Sequence, residues 1–323
     1  MSFMIKRLLG LVAATLASHA WANYPVVVLN SAAASVTLID QQTRSVTDVY
    51  PVGKEPHHLM QTPDGKLLVA NSVSNSLMFV DPKTGKVTKT LEDVEDPYQL
   101  GFSPDGKWFV TNGLRLNRVD IYSYANGGIT LARRIPLSQT PSHMAFSADS
   151  KIVFVTLQDS DELAAIDLPT QRVLWKMPVG KTPAGLWLTP HDQYLLIGMT
   201  GEDDVEVVDW RNRKIVKQIK TGKGAHNFRP LNDGRHVLVT NRVESTISEL
   251  DELTLTKVKD ITGLRPGPDD MELTPDGRFL WVTFRFSKSV GVVDLTNDKL
   301  VSVIPVGRSP HGLYFYNRKP WMN

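Results

Sequence analysis

The chain has 323 residues, with 36 Lys and Arg against 34 Asp and Glu, 41% hydrophobic residues and no Cys. Without Cys there are no disulfides, no thiolate metal sites and no lipid anchor on an N-terminal cysteine. Charge this closely balanced lacks the basic excess that polyanion binding requires, so nucleic acid is not an expected partner.

The first residues have the make-up of a targeting segment. Lys6 and Arg7 precede an apolar run from Leu8 to Ala17, followed by Ala20-Trp21-Ala22. A cationic start, an apolar stretch too short to span a bilayer and small residues at an A-x-A site predict a signal peptide, residues 1–22, cleaved after Ala22. Residues 23–323 are then expected to form one exported domain, periplasmic and monomeric, with no membrane span. Loss of Lys6 and Arg7 brings the cationic side chains level with the 34 acidic ones.

Residues 24–50 hold three β-branched pieces, Pro25 to Leu29, Ser35 to Ile39 and Ser45 to Val49, separated by turn-forming residues. From Pro51 onward a longer unit begins. Pro51-Val52-Gly53-Lys54-Glu55-Pro56-His57-His58 leads into a strand, and Thr62-Pro63-Asp64-Gly65-Lys66 supplies a turn in which Pro presets φ and Gly takes the left-handed position. Strands follow at Leu67 to Asn71, Ser76 to Asp81 and Lys86 to Leu91. The unit returns every 41 to 44 residues, most plainly at Pro178-Val179-Gly180 and Pro305-Val306-Gly307. Four short antiparallel strands at that period predict an all-β fold, a β-propeller.

Six full units end near residue 305. A seventh contributes only His311 to Tyr316, while residues 24–50 lack one strand. Together these pieces predict a seventh blade made from both ends of the chain, which closes the ring and removes its exposed edges.

Val69-Ala70-Asn71, Val110-Thr111-Asn112 and Val239-Thr240-Asn241 each follow a Pro-Asp-Gly or Asn-Asp-Gly turn, and Pro-Val-Gly-x-x-Pro opens several repeats. On these motifs the chain resembles the YVTN-repeat β-propellers of exported bacterial proteins along its whole mature length. Related seven-bladed propellers include lactonase-type enzymes, the haem-binding domain of periplasmic nitrite reductase and the large subunits of quinone-dependent amine dehydrogenases. The resemblance thus implies the fold and leaves several chemistries open.

Two positions per repeat lead into the first strand, where a propeller's central channel opens. They are His57-His58, Tyr98-Gln99, Ser142-His143, Ala184-Gly185, His226-Asn227, Asp269-Asp270 and His311-Gly312. Five histidines fall on these fourteen positions, far more than chance would place there. Imidazoles converging on an axis suit a transition metal or a haem-type cofactor, and His57, His226 and His311, which share one column, are the expected metal ligands. His58, His143, Asp269 and Asp270 complete the expected ligand site at the channel mouth. A purely structural use of the same residues, each imidazole donating to a nearby carbonyl, stays open, as does which of the two columns faces the channel. Arg115, Arg242 and Arg285 in the loops after the second strand are candidate partners for a carboxylate-bearing ligand.

No phosphate loop, nucleophile elbow, H-E-x-x-H helix or haem-attachment motif is present. The expected function is a binding or accessory module for a small molecule, metal or cofactor. The alternatives are a metal-dependent hydrolase or oxidoreductase using the same residues, and a scaffold for a periplasmic protein partner. Arg229 and Glu272, equivalent positions of neighbouring repeats, are expected to pair between sheets.

Overall fold

The computed structural model describes residues 24–125 and 127–316. The expected signal peptide lies outside the described residues. Among the described residues, seven four-stranded antiparallel sheets form the blades of a propeller. Their innermost strands, here called strand A, are Pro56–Gln61, Gln99–Phe102, Pro141–Phe146, Pro183–Leu188, Ala225–Pro230, Pro268–Leu273 and Pro310–Phe315. The last of these pairs with Val26–Asn30 in the order expected from the two chain ends, with Val26 opposite Phe315 and Val27 opposite Tyr314.

The core lies between blades rather than within one layer. Leu67 and Val69 pack toward Val27, Leu29 and Tyr314 of blade seven, whereas Leu68 and Ala70 pack toward Leu100 and Phe109 of blade two. Alternate side chains of one strand therefore serve two different interfaces, which is why these strands are apolar at every position instead of every second one. The same arrangement joins each remaining pair of neighbouring blades.

The repeat motifs have local reasons. A side chain at Gly53 would meet Cγ of Asn71 at 2.6 Å, and one at Gly307 would meet Cγ of Asn30 at 2.5 Å, so the Gly of Pro-Val-Gly is where backbone lies against the repeat asparagine. Buried Asn30 in turn donates to Thr37 Oγ1 at 2.8 Å. The structural pair also forms: Arg229 Nε and Nη2 both lie 2.7 Å from Glu272 Oε1, fully buried between blades five and six.

Candidate functional site: a buried imidazole ring

Strand A carries a β-bulge at the two lead-in positions. In blade one Pro56 pairs with Asn71 and Leu59 with Val69, so His57 and His58 together face one partner residue. The same step of register occurs at Ser142-His143, Ala184-Gly185, His226-Asn227 and Asp269-Asp270. A bulge breaks the strict alternation of a strand and re-aims its side chains, so both columns reach the axis. The repeat threonine stabilises it: Thr156, Thr240 and Thr283 each accept the backbone N–H of the second bulge residue, at 3.1, 3.1 and 2.9 Å. Thr156 and Thr240 also donate to Ala184 O and Asp269 O of the next blade.

These bulges assemble a continuous cluster of rings. His57 is sandwiched between Tyr98 and His311, with centroids 3.8 and 3.9 Å away. His58 lies 4.8 Å from His311 and 5.9 Å from His143, and His143 lies 4.8 Å from His226. Asp269 closes the circle, 3.3 Å from His226 Nδ1 and 3.6 Å from His311 Nε2. Arg242 and Arg285 reach the same carboxylate at 3.5 and 3.4 Å.

All five lead-in histidines therefore come together, with Asp269, Arg242 and Arg285. Their position is deeper than the channel mouth expected from sequence: His57, His143 and His311 are 1% exposed, His226 2% and Asp269 0%. The rings pack against one another across the axis, with His58 half-buried. Asp270 sits one position further along strand A and accepts N–H groups from Met271 and Leu313, each at 3.0 Å. Arg115 stands apart from Asp269, held by Asp96 at 2.7 Å and Glu55 at 2.9 Å between blades one and two. Each of the three candidate arginines thus already has a carboxylate partner within the chain.

Tyr98 is a member of the cluster that sequence reasoning passed over. Its signal was its column, shared with His57, His226 and His311, but an aromatic side chain there reads equally well as core. Burial pushes its phenol up to about 12, so it is a neutral ring at any ordinary pH.

Hydrogen bonding fixes one tautomer. His58 Nδ1 lies 3.0 Å from the Tyr98 carbonyl and 2.8 Å from His57 Nδ1. A carbonyl only accepts, so the proton is on His58 Nδ1 and its Nε2 carries the lone pair. This Nδ1–H to carbonyl contact is the usual support for an imidazole that binds a metal through its other nitrogen. His143 Nε2 and both nitrogens of His311 are buried without a hydrogen-bond partner among the described residues, whereas His226 Nδ1 and Asp269 Oδ1 face each other at 3.3 Å. Buried polar atoms are nearly always satisfied, by protein, by ordered water or by an ion.

Burial is the largest cause holding His57, His143, His226 and His311 well below the ordinary histidine range, with neighbouring imidazoles adding to it, together with Arg242 and, for all but His143, Arg285. His58 is lowered to about 4, again mainly by burial. The rings are neutral at pH 7, the form that ligates metals. Unfolded histidines titrate near 6.5, so below that pH the unfolded chain binds protons that the folded cluster refuses. Stability falls as the unfolded state takes up more protons, by about 1.4 kcal/mol per pH unit for each such group. Asp270, raised to about 7 chiefly by burial, works in the opposite direction, since it is protonated in the folded chain before the unfolded one. Glu252, also raised to about 7 mainly by burial, works with Asp270, and Glu206 and Asp120 are raised as well. With five histidines against these carboxyls, the melting temperature of metal-free protein is expected to drop from pH 6.5 toward 4. A thermal melt at each half pH unit checks this, and a flat profile across that window would contradict the neutral cluster.

The comparisons with known proteins agree with this architecture. A family profile described as YNCE-like beta-propeller matches residues 8–321. Among solved structures, a functionally unknown protein from Desulfotomaculum acetoxidans is similar at 14% identity, covering 90% of this chain and 98% of its own, with a TM-score of 0.77. The dihydro-heme d1 dehydrogenase NirN is similar at 17% identity, covering 91% and 75%, with a TM-score of 0.69. Hydrazine synthase from Kuenenia stuttgartiensis matches at 20% identity, covering 84% and 92%, with a TM-score of 0.71. Lactonase-type propellers from Bacteroides are similar in fold as well. At such identities the likeness carries the fold alone. No curated protein matches the chain. The profile spans nearly the whole sequence and agrees with the seven closed blades, and on that basis the chain belongs to the YNCE-like β-propeller family.

Proposed function

We propose that this protein is an exported metal-binding propeller, an accessory module that holds one transition-metal ion at His57, His58 and His311. One observation carries the reading: these three side chains, from the adjoining blades one and seven, bring ligand nitrogens within 4.8 Å of one another. The donor set fits the group. The imidazoles are neutral, His58 is oriented by a backbone carbonyl with Nε2 free, and both nitrogens of His311 are open. All-nitrogen donors suit copper, zinc or iron better than magnesium or calcium, which prefer oxygen. His226, an expected ligand from its sequence column, stands across Asp269 from His311 and supports the cluster from that side. A tetrapyrrole finds no slot within the ring, because His57 is already stacked on both faces at van der Waals distance.

A bound ion would supply Lewis acidity or one-electron chemistry at this point of the axis. The protein's own part is to hold three neutral nitrogens, keep bulk water away and place Asp269 beside His311.

Elemental analysis and calorimetric titration with Zn²⁺, Cu²⁺ and Co²⁺ test the reading. One equivalent of metal is expected, with affinity lowered about 100-fold or more in His58→Ala and His311→Ala variants whose circular dichroism is unchanged. At 100 times its dissociation constant the metal is expected to add about 2.7 kcal/mol of stability. Failure of all three ions to bind, or binding that survives both substitutions, would remove the proposal.

A further inference from the structure

Directly beneath the imidazole ring the axis widens into a cavity of about 610 Å³, running from His58, His143 and Asp270 to Pro104 and Ala148 in the turns after strand A. We propose that this cavity binds a small arylalkylamine, its ammonium group at Asp270 and its aromatic body among the walls. The volume is in the range of sites for small organic ligands. Met60, Phe102, Met144, Phe146, Trp187 and Met271 line it. Aromatic faces attract an organic cation, and thioethers adapt to its shape.

The polar end selects the charge. Each oxygen of Asp270 takes one backbone N–H, and among the described residues it forms no ion pair with a Lys or Arg. Protein surrounds the carboxylate while part of its surface stays accessible, as expected of a group facing an internal space. Burial chiefly raises the Asp270 carboxyl to about 7, with Asp269 and Glu272 adding to it, and Glu272, paired with Arg229, also lines the cavity. Across the cavity, from blade two, Gln99 Oε1 is a buried acceptor without a hydrogen-bond partner among the described residues. An ammonium group offers Asp270 a positive charge and three N–H donors. An anion would face the Asp270 carboxylate, and a hydrocarbon would leave that carboxylate without a counter-charge.

Metal binding is not required for this inference, so the experiment is run in EDTA on the full chain. Tryptamine and its uncharged isostere tryptophol are titrated calorimetrically at pH 8. Tryptamine is expected to bind at least about tenfold more tightly, with Asp270→Asn removing that preference. Equal affinity for the two, no binding of either at millimolar concentration, or a preference that persists in a folded Asp270→Asn protein would each overturn the proposal. The comparison on unsubstituted protein needs no variant, so it decides the matter even where Asp270→Asn does not fold. The EDTA keeps its outcome separate from that of the metal titration.

Discussion

A chain ending at Ser309 is expected to show no cooperative unfolding transition. The deletion removes the strand Pro310–Phe315, every residue of which is buried. Leu313 and Phe315 leave the core shared with Trp281 of blade six, and Tyr314 leaves the core shared with Leu67 and Val69 of blade one. Burial of three such side chains stabilises by roughly 6 kcal/mol, at about 2 kcal/mol each, which is comparable with the whole stability of many domains, about 5–15 kcal/mol. Val26–Asn30 would also become an unpaired edge of a fully buried strand. A milder form, Phe315→Ala, is expected to cost about 3–5 kcal/mol, read from urea denaturation. A truncated chain that melts like the full one would show that blade seven does not close the ring.

The second large effect is expected at Asp269. Its carboxylate is the common partner of Arg242 and Arg285 and lies against His226 and His311. Asp269→Asn keeps the shape and removes the charge, leaving two guanidinium groups facing neutral imidazoles. Removing one member of a buried ion pair costs about 3–5 kcal/mol, and the low end is expected here because both arginines keep a path to water. A double variant that also carries Arg242→Met should recover part of the loss, since it removes one of the stranded charges. If the single variant denatures at the wild-type midpoint, Asp269 is not the counter-ion of this cluster.

The blades could be read from the sequence because their punctuation is local. Pro63-Asp64-Gly65, Pro104-Asp105-Gly106 and Pro275-Asp276-Gly277 mark the same turn in three repeats, and counting strands on either side showed that Val26–Asn30 needed a partner from the far end. Convergence of the histidines was legible for the same reason, as repeat positions share an axis. The bulge was not legible. It depends on Pro56, His57, His58 and Leu59 facing three residues of the next strand, a relation between two strands that neither shows alone. Without it the two columns compete for the channel, whereas the structure admits both. The depth of the site was hidden too, because it follows from Tyr98 stacking on His57, and a tyrosine at that position carries no mark that sets it apart from core. Nor could the sequence set Arg115 apart from Arg242 and Arg285, which join the cluster: Asp96, the in-chain partner of Arg115, sits 19 residues before it in the lead-in to the same blade.

The closing strand, the last of the described strands, brings His311 into the cluster, while His57 and His58 come from the fourth. During synthesis the early blades can form as they emerge, but the axis stays open on one side until this strand arrives. The cluster is therefore assembled only once this strand has docked. At the proposed metal site, a clipped chain without it would keep two of the three donors and lack the third.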